Sequence, residues 1–274
     1  MSDSRAGELS GRVAIVTGAN HGIGAATAVA LAARGASVLV TYLRLDDAPD
    51  PGTPETYRRN RARDASAVLE AIASVGGVGR AVEVDLSEPA TPARLFDHAE
   101  RELGAVDILV NNATGWLADT FKPQARDRFG RSLTPLSAET FDRLFAVDAR
   151  GGALMIAEFA RRHAERGASW GRIVSLTSGD GRGFPEEVSY GAAKAALTDY
   201  TLSAGAELAP HGITANVVHP PVTDTGWVTQ EVRDLVAGSD ELENVAEPSE
   251  VAEVIAYLCE DRSRLINRNI LTLR

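Results

Sequence analysis

The chain has a single cysteine, Cys259, so no intrachain disulfide can form and no cysteine-based zinc site can assemble. That composition fits a reducing, cytoplasmic setting. No stretch approaches the roughly 20 apolar residues of a membrane span, and Met1 to Glu8 is polar, without the apolar core of an export signal. Basic residues are in deficit, 28 Lys and Arg against 38 Asp and Glu for a formal charge of −10. This argues against a sequence-independent nucleic-acid binder, which needs a basic surface. The histidines (His21, His98, His163, His211 and His219) lack the i, i+4 spacing of a metal-binding helix, and no metal is expected. Repeats and low-complexity tracts are absent too, and the 274 residues suit one domain spanning residues 1–274.

What is present begins with Val13 to Thr17, a short apolar run that reads as a buried strand. Gly18-Ala19-Asn20-His21-Gly22-Ile23-Gly24 follows at once, then an Ala-rich helical stretch to Arg34. Strand, glycine turn and helix in that order make a phosphate site. The glycines allow backbone to approach a pyrophosphate closely, and the free N–H groups and dipole of the helix start attract its charge. The plain reading of the same cluster is a helix-packing device. Ser37 to Tyr42 forms a second strand, ending in Thr41-Tyr42-Leu43-Arg44. No acid stands there to accept the 2′-hydroxyl of NAD, while Arg44 suits a 2′-phosphate, which favours NADP(H) over NAD(H). His21 reads either as a further positive partner or as a solvated loop histidine. Asp46 to Asn60, rich in Pro, Asp and Arg, reads as an inserted loop before a helix from about Arg61 to Val75. Arg58, Arg59, Arg61 and Arg63 read as a solvated charged face, with a phosphate clamp as the alternative.

Ala81 to Asp85 reads as the third strand, with Asp85 either accepting the adenine amino group or capping the next turn. A helix from Pro92 to Leu103 leads into the strand Val106 to Val110 and then Asn111-Asn112-Ala113-Thr114-Gly115-Trp116. Two amides after a wholly apolar strand tie neighbouring strand ends together and floor a cofactor site. The loop to Leu136 is long enough for a lid or substrate-contacting role, and Trp116 and Phe121 either touch substrate or cover that loop's own core. Ser137 N-caps a long helix to about Arg166, and Gly171 to Leu176 and Ile213 to Val218 read as strands. A final helix begins near Pro248 and a closing strand spans Asn269 to Leu273. The glycine turn, Tyr42 to Arg44, Asp85, Asn111-Asn112, Ser178 and Thr225 each follow the carboxyl end of a strand, which is where open α/β sheets bind ligands.

Tyr190-Gly191-Ala192-Ala193-Lys194 lies near the start of a helix running to about Leu208. Residues four apart share one helix face, so the ammonium can sit beside the phenol. A cation within about 4–6 Å favours a phenolate, and Tyr190 can then trade a proton with a substrate oxygen. The plain reading of the pair is a half-buried Tyr beside a solvated Lys.

Taken together, these motifs resemble the classical short-chain dehydrogenase/reductase family across nearly the whole chain. Thr17 to Gly24 is similar to its cofactor turn, Asn111-Asn112-Ala113 to its Asn-Asn-Ala-Gly, and Arg172 to Ser178 to the strand ending in its catalytic Ser. Tyr190 and Lys194 match its Tyr-x3-Lys, Asn216 its Asn before the end of the sixth strand, and Thr225 the Thr that contacts the nicotinamide carboxamide. The resemblance implies a doubly wound Rossmann-type parallel sheet of about seven strands, an NAD(P)(H) cofactor, a small-molecule carbonyl or alcohol substrate, and a homotetramer or homodimer. It implies that Ser178 orients the carbonyl, Tyr190 is the acid/base, and Lys194 lowers the tyrosine pKa and holds the nicotinamide ribose. The cofactor set it implies is Gly18, Asn20, His21, Gly22, Ile23, Gly24, Tyr42, Arg44, Asp85, Leu86, Asn112, Ala113, Tyr190, Lys194, Pro220, Val222 and Thr225. The sequence departs from the family at Thr114 and Pro221, where the family has Gly, and at Asp148, where it has the Asn of a proton relay. Asp148 is either a relay member or structural. The glycine-rich tail expected after the last strand, which bears on tetramer contacts, is missing from the sequence. The expected activity is NADP(H)-dependent interconversion of a carbonyl and a secondary alcohol, with reduction as the expected direction. A non-catalytic NADP(H)-binding sensor or scaffold of the same fold is the alternative that the departures suggest.

Overall fold

A computed structural model describes residues 7–179, 181–240 and 242–274; the first six residues of the polar N-terminus lie outside it. Chain order is β1 (Val13–Val16), α1 (Gly22–Ala33), β2 (Ser37–Tyr42), α2 (Glu55–Ala62), α3 (Ser66–Ser74), β3 (Val78–Glu83), α4 (Thr91–Glu102) and β4 (Ile108–Asn111). There follow two short strands, β5 (Asp119–Thr120) and β6 (Thr134–Pro135), then α5 (Ala138–Leu144), α6 (Gly152–Glu165), β7 (Gly171–Leu176), α7 (Val188–Glu207) and β8 (Ile213–His219). The chain closes with α8 (Gln230–Ala237), α9 (Pro248–Leu258) and β9 (Ile270–Thr272).

Seven strands form one parallel sheet in the order β3-β2-β1-β4-β7-β8-β9. A parallel sheet needs crossover helices that cover both faces, so its central strands bury both sets of side chains. β1 shows this directly: Ala14 and Val16 join the core under α1, α3 and α9, whereas Val13 and Ile15 join the core under α4, α6 and α7. The strand order reverses between β1 and β4, which opens a crevice at their carboxyl ends. Among the described residues no helix is long and apolar enough to cross a membrane.

Two elements differ from the sequence expectation, and a third lies where none was stated. β3 starts three residues early, at Val78, because this edge strand alternates exposed and half-buried positions and so lacks an apolar run. Asp46 to Asn60 is no plain loop: Glu55–Ala62 is helical, and α3 starts only at Ser66. Its residues carry a single large apolar side chain, Tyr57, so periodicity could not reveal α2. The stretch between Thr225 and Glu247 likewise holds a helix, α8, N-capped by Thr229.

The long helix after Ser137 does form, and Ser137 makes a capping box with Thr140. Its middle, Phe145–Gly151, is wound as a π-helix. Such wide turns often mark functional positions, and this one carries Asp148. On the other face, Arg34 ends α1 against α9, pairing with Glu260 at 2.7 Å and Glu253 at 2.8 Å with its own side chain only 4% exposed. Breaking a buried ion pair strands its partner, so Arg34→Ala should cost about 3 kcal/mol; a urea midpoint unchanged from wild type would contradict this.

Candidate active site

One cleft of about 1500 Å³ runs along the carboxyl ends of the strands. It is lined by every expected site residue except Gly24, Arg44 and Asp148. The floor is built by β1 and β4. Asn112 donates its side-chain amide to the carbonyls of Thr17 and Gly18 at 2.9 and 2.8 Å, while the Thr17 hydroxyl accepts from the N–H groups of Asn112 and Ala113, both at 3.0 Å. Gly24 sits beneath this tie; a Cβ there would lie 2.5 Å from the Asn112 amide nitrogen. Gly22 has φ +58° and faces Thr225, whose methyl would be 2.9 Å from a Cβ. Both positions therefore exclude a side chain. α1 starts at Gly22 with no side-chain cap, and Gly22 and Ile23 of its first turn line the cleft. An uncapped helix start is the kind of place that can hold an anion such as a pyrophosphate.

At the other end of the cleft, Tyr42 and Leu86 line the wall where β2 and β3 finish. Asp85 caps its own turn, accepting from Ser87 N at 2.7 Å, while still lining the cleft. Arg44 is turned away: its guanidinium pairs with Glu83 at 2.9 Å and its side chain is 57% exposed. Asn20 donates to the Arg63 carbonyl at 2.8 Å. His21 packs edge-on to Tyr57 with 6.1 Å between ring centres. Burial, with the charges of Arg61 and Arg63, pushes its imidazole down to about 4, so the ring is neutral at pH 7. Pro220, Val222 and Thr225 line the loop after β8. Asn216, by contrast, ties that strand to the last one, donating to the Ile266 carbonyl at 2.8 Å and accepting from Asn269 N at 3.1 Å.

The catalytic candidates converge in the middle of the cleft. Ser178 follows β7, and Tyr190 and Lys194 lie one turn apart on α7. Lys194 is 2% exposed, with Nζ 5.7 Å from the Tyr190 ring centre and 3.0 Å from Asp148 Oδ1. The second Asp148 oxygen accepts from Gly115 N at 2.8 Å. The buried carboxylate thus joins α7, the π-turn and the loop after β4. Thr114 stands in that loop and receives the Trp116 N–H on its hydroxyl at 3.1 Å.

The surroundings of the phenol act against the lowering that the Tyr–Lys spacing suggests. Burial pushes the Tyr190 pKa up from its ordinary value, Asp148 and Glu187 push it further, and the Ser178 hydroxyl beside it works the other way. The Lys194 charge is already answered by Asp148. The phenol is therefore held in its neutral form at pH 7. Glu187 was not singled out in the sequence; it accepts from Trp116 Nε1 and from Arg131 Nη2, both at 3.0 Å, and burial raises its carboxyl. Trp116 faces the cleft, whereas Phe121 is 81% exposed and does not line it. Among the described residues no cluster of His, Cys, Asp or Glu could hold a metal ion.

Comparison with known proteins fits this geometry. The family model described as enoyl-(acyl carrier protein) reductase matches residues 56–273, most of the chain. The chain belongs to the short-chain dehydrogenase/reductase family. It is 30% identical to an uncharacterized oxidoreductase, YjdA, of Bacillus subtilis, over 95% of this chain and 94% of that protein. It is 34% identical to a cis-4-hydroxycyclohexanecarboxylate dehydrogenase of Sinomonas cyclohexanicum, over 96% and 94% of the two chains. Among solved structures, the angucycline C-6 ketoreductase LanV with bound NADP matches with a TM-score of 0.77 at 30% identity, covering 98% of this chain and 96% of that one. Family membership makes the protein an oxidoreductase, and its seven-stranded parallel sheet is the expected Rossmann-type fold.

Proposed function

We propose that the protein is an NADP(H)-dependent ketoreductase whose substrate carries its carbonyl on a cyclic, largely apolar framework. The observation that carries this reading is Tyr190, a half-buried neutral phenol beside Ser178 in a cleft that also takes in the uncapped start of α1. Support for the nucleotide comes from the bound NADP of LanV. Support for the ring comes from the cleft lining, where Tyr57, Trp116, Phe129, Phe184 and Trp227 present aromatic faces. The names of similar proteins agree: hydroxynaphthalene reductase-like proteins from Metarhizium species, the cyclohexanecarboxylate dehydrogenase, and LanV with bound rabelomycin.

Bound NADPH would supply the hydride to the carbonyl carbon. The charge that then develops on the carbonyl oxygen needs a proton and a hydrogen bond in the same place. Tyr190 gives up its phenolic proton to that oxygen, and the Ser178 hydroxyl donates to it. Lys194, held by Asp148, lines the cleft beside them and would hold the nicotinamide ribose, while Gly18 to Ile23 and Thr225 would bind the rest of the nucleotide. Trp116 and Phe184 shut water out around the reacting atoms.

The test follows NADPH oxidation with a ketone panel that includes α-tetralone, cyclohexanone and 4-oxocyclohexanecarboxylate. Turnover should be fastest with the fused-ring ketone. Tight nucleotide binding with no oxidation above blank by any ketone would overturn the reading.

A further inference from the structure

The segment between Leu43 and Arg63 leaves β2, forms α2 and returns across the cleft. Leu45 N donates to the Arg61 carbonyl at 3.1 Å, and Asn60 Nδ2 donates to the Thr225 carbonyl at 3.1 Å. With the bond from Asn20 to the Arg63 carbonyl, residues 60–63 are fixed against the glycine turn on one side and the loop after β8 on the other. This places Arg61 in the wall of the cleft. Its side chain is only 10% exposed, its guanidinium lies 5.6 Å from the Tyr57 ring centre, and Nη1 is 2.9 Å from Asp47 Oδ2.

His21 shares this corner. Its Nδ1 is buried and makes no hydrogen bond, an expensive state for a ring nitrogen. The corner thus combines a guanidinium, an unpartnered imidazole nitrogen and, close enough to act on that ring, the Arg63 charge. Arg44, the residue at the usual place, spends its fork on Glu83 outside the cleft. A phosphate dianion fits such a corner: Arg61 offers planar donors, and His21 gains a proton or donates its N–H. Asp47 is the competitor that holds Arg61 until the phosphate arrives.

We propose that the 2′-phosphate of the cofactor is bound by Arg61 of the inserted segment together with His21, and that Arg44 takes no part. The inference rests on the reading that the cofactor is NADP(H). It singles out Arg61 from the arginines that the sequence offered as a phosphate clamp, and makes the inserted segment the source of nucleotide selectivity in this chain.

Fluorescence titration of the purified full chain with NADPH and with NADH tests it on wild type, Arg44→Ala, Arg61→Ala, Arg61→Lys and Asp47→Asn. Arg61→Ala should weaken NADPH about 10- to 100-fold, as expected for lost hydrogen bonds between charged groups, and change NADH less than about threefold. Arg61→Lys should recover part of that loss. Asp47→Asn should tighten NADPH several-fold, and Arg44→Ala should leave both nucleotides within about twofold. Should Arg61→Ala bind neither nucleotide, Asp47→Asn decides: tighter NADPH supports the subsite, and unchanged or weaker NADPH overturns it. A selective loss of NADPH in Arg44→Ala overturns the inference while leaving the NADP(H) reading intact, as does an unchanged ratio in Arg61→Ala. Wild-type preference for NADH overturns both.

Discussion

Tyr190→Phe should lower kcat for ketone reduction by about 10²- to 10⁴-fold, the range a positioned general acid supplies, while leaving NADPH affinity within a few-fold. The substitution removes only a hydroxyl, and the ring keeps its packing on Phe184, 5.8 Å between centres. Turnover within a few-fold of wild type would remove Tyr190 from the chemistry. The pH dependence gives a second, independent reading. Reduction uses the protonated phenol, whose fraction falls only as pH rises through its pKa. Burial, Asp148 and Glu187 hold that pKa above the ordinary tyrosine value. The reductive rate should therefore stay flat through neutral pH and into the alkaline range. Alcohol oxidation needs the phenolate, so its rate should climb about tenfold per pH unit over the same interval. A reductive rate that fell between pH 7 and 9, on the order of a tenfold loss, would show that Tyr190 titrates lower than its surroundings dictate.

The sheet was legible because a parallel sheet buried on both faces must write its central strands as apolar runs. Gly171 to Leu176 and Ile213 to Val218 were read off within a residue of their observed ends for that reason. The side of the sheet that carries the cleft was legible too, since the punctuating glycines, amides and prolines all follow strand ends. What escaped was everything that depends on distant contact. α2 is held by Asn60 on Thr225, 165 positions away in the chain, and no local pattern encodes that bond. Arg44 stands where a phosphate-binding side chain is expected, but the adjacent edge strand places Glu83 opposite Tyr42 and captures it. Glu187 looks like one more loop acid until Trp116 and Arg131 are seen to converge on it. One signal was available for α2: a lone aromatic, Tyr57, amid Arg, Asn and Glu needs a surface to cover, and here that surface is His21 and Trp116.

Asp148 supplies the other large expected effect, because its two oxygens serve two structures at once. One lies 3.0 Å from Lys194 Nζ with both side chains sealed from solvent, and the other receives Gly115 N. Asp148→Asn keeps the shape and a partner for Gly115 but leaves the Lys194 ammonium without its counter-charge. An uncompensated buried charge costs about 3–5 kcal/mol, so the urea midpoint should fall markedly. The same change acts on the phenol in a defined direction. Removing a carboxylate that raises the Tyr190 pKa, and unmasking the lysine cation beside it, both favour phenolate. The pH profile for alcohol oxidation should therefore move to lower pH in Asp148→Asn, even as the protein becomes less stable. Adding Lys194→Met to the same chain should return most of the lost stability, since removing both members of a buried pair is far cheaper than removing one. Activity should not return with it, because the ammonium proposed above to hold the ribose is gone. If the double variant were no more stable than Asp148→Asn, the loss would not come from an uncompensated Lys194 charge, and the 3.0 Å pair would not be what Asp148 contributes to stability.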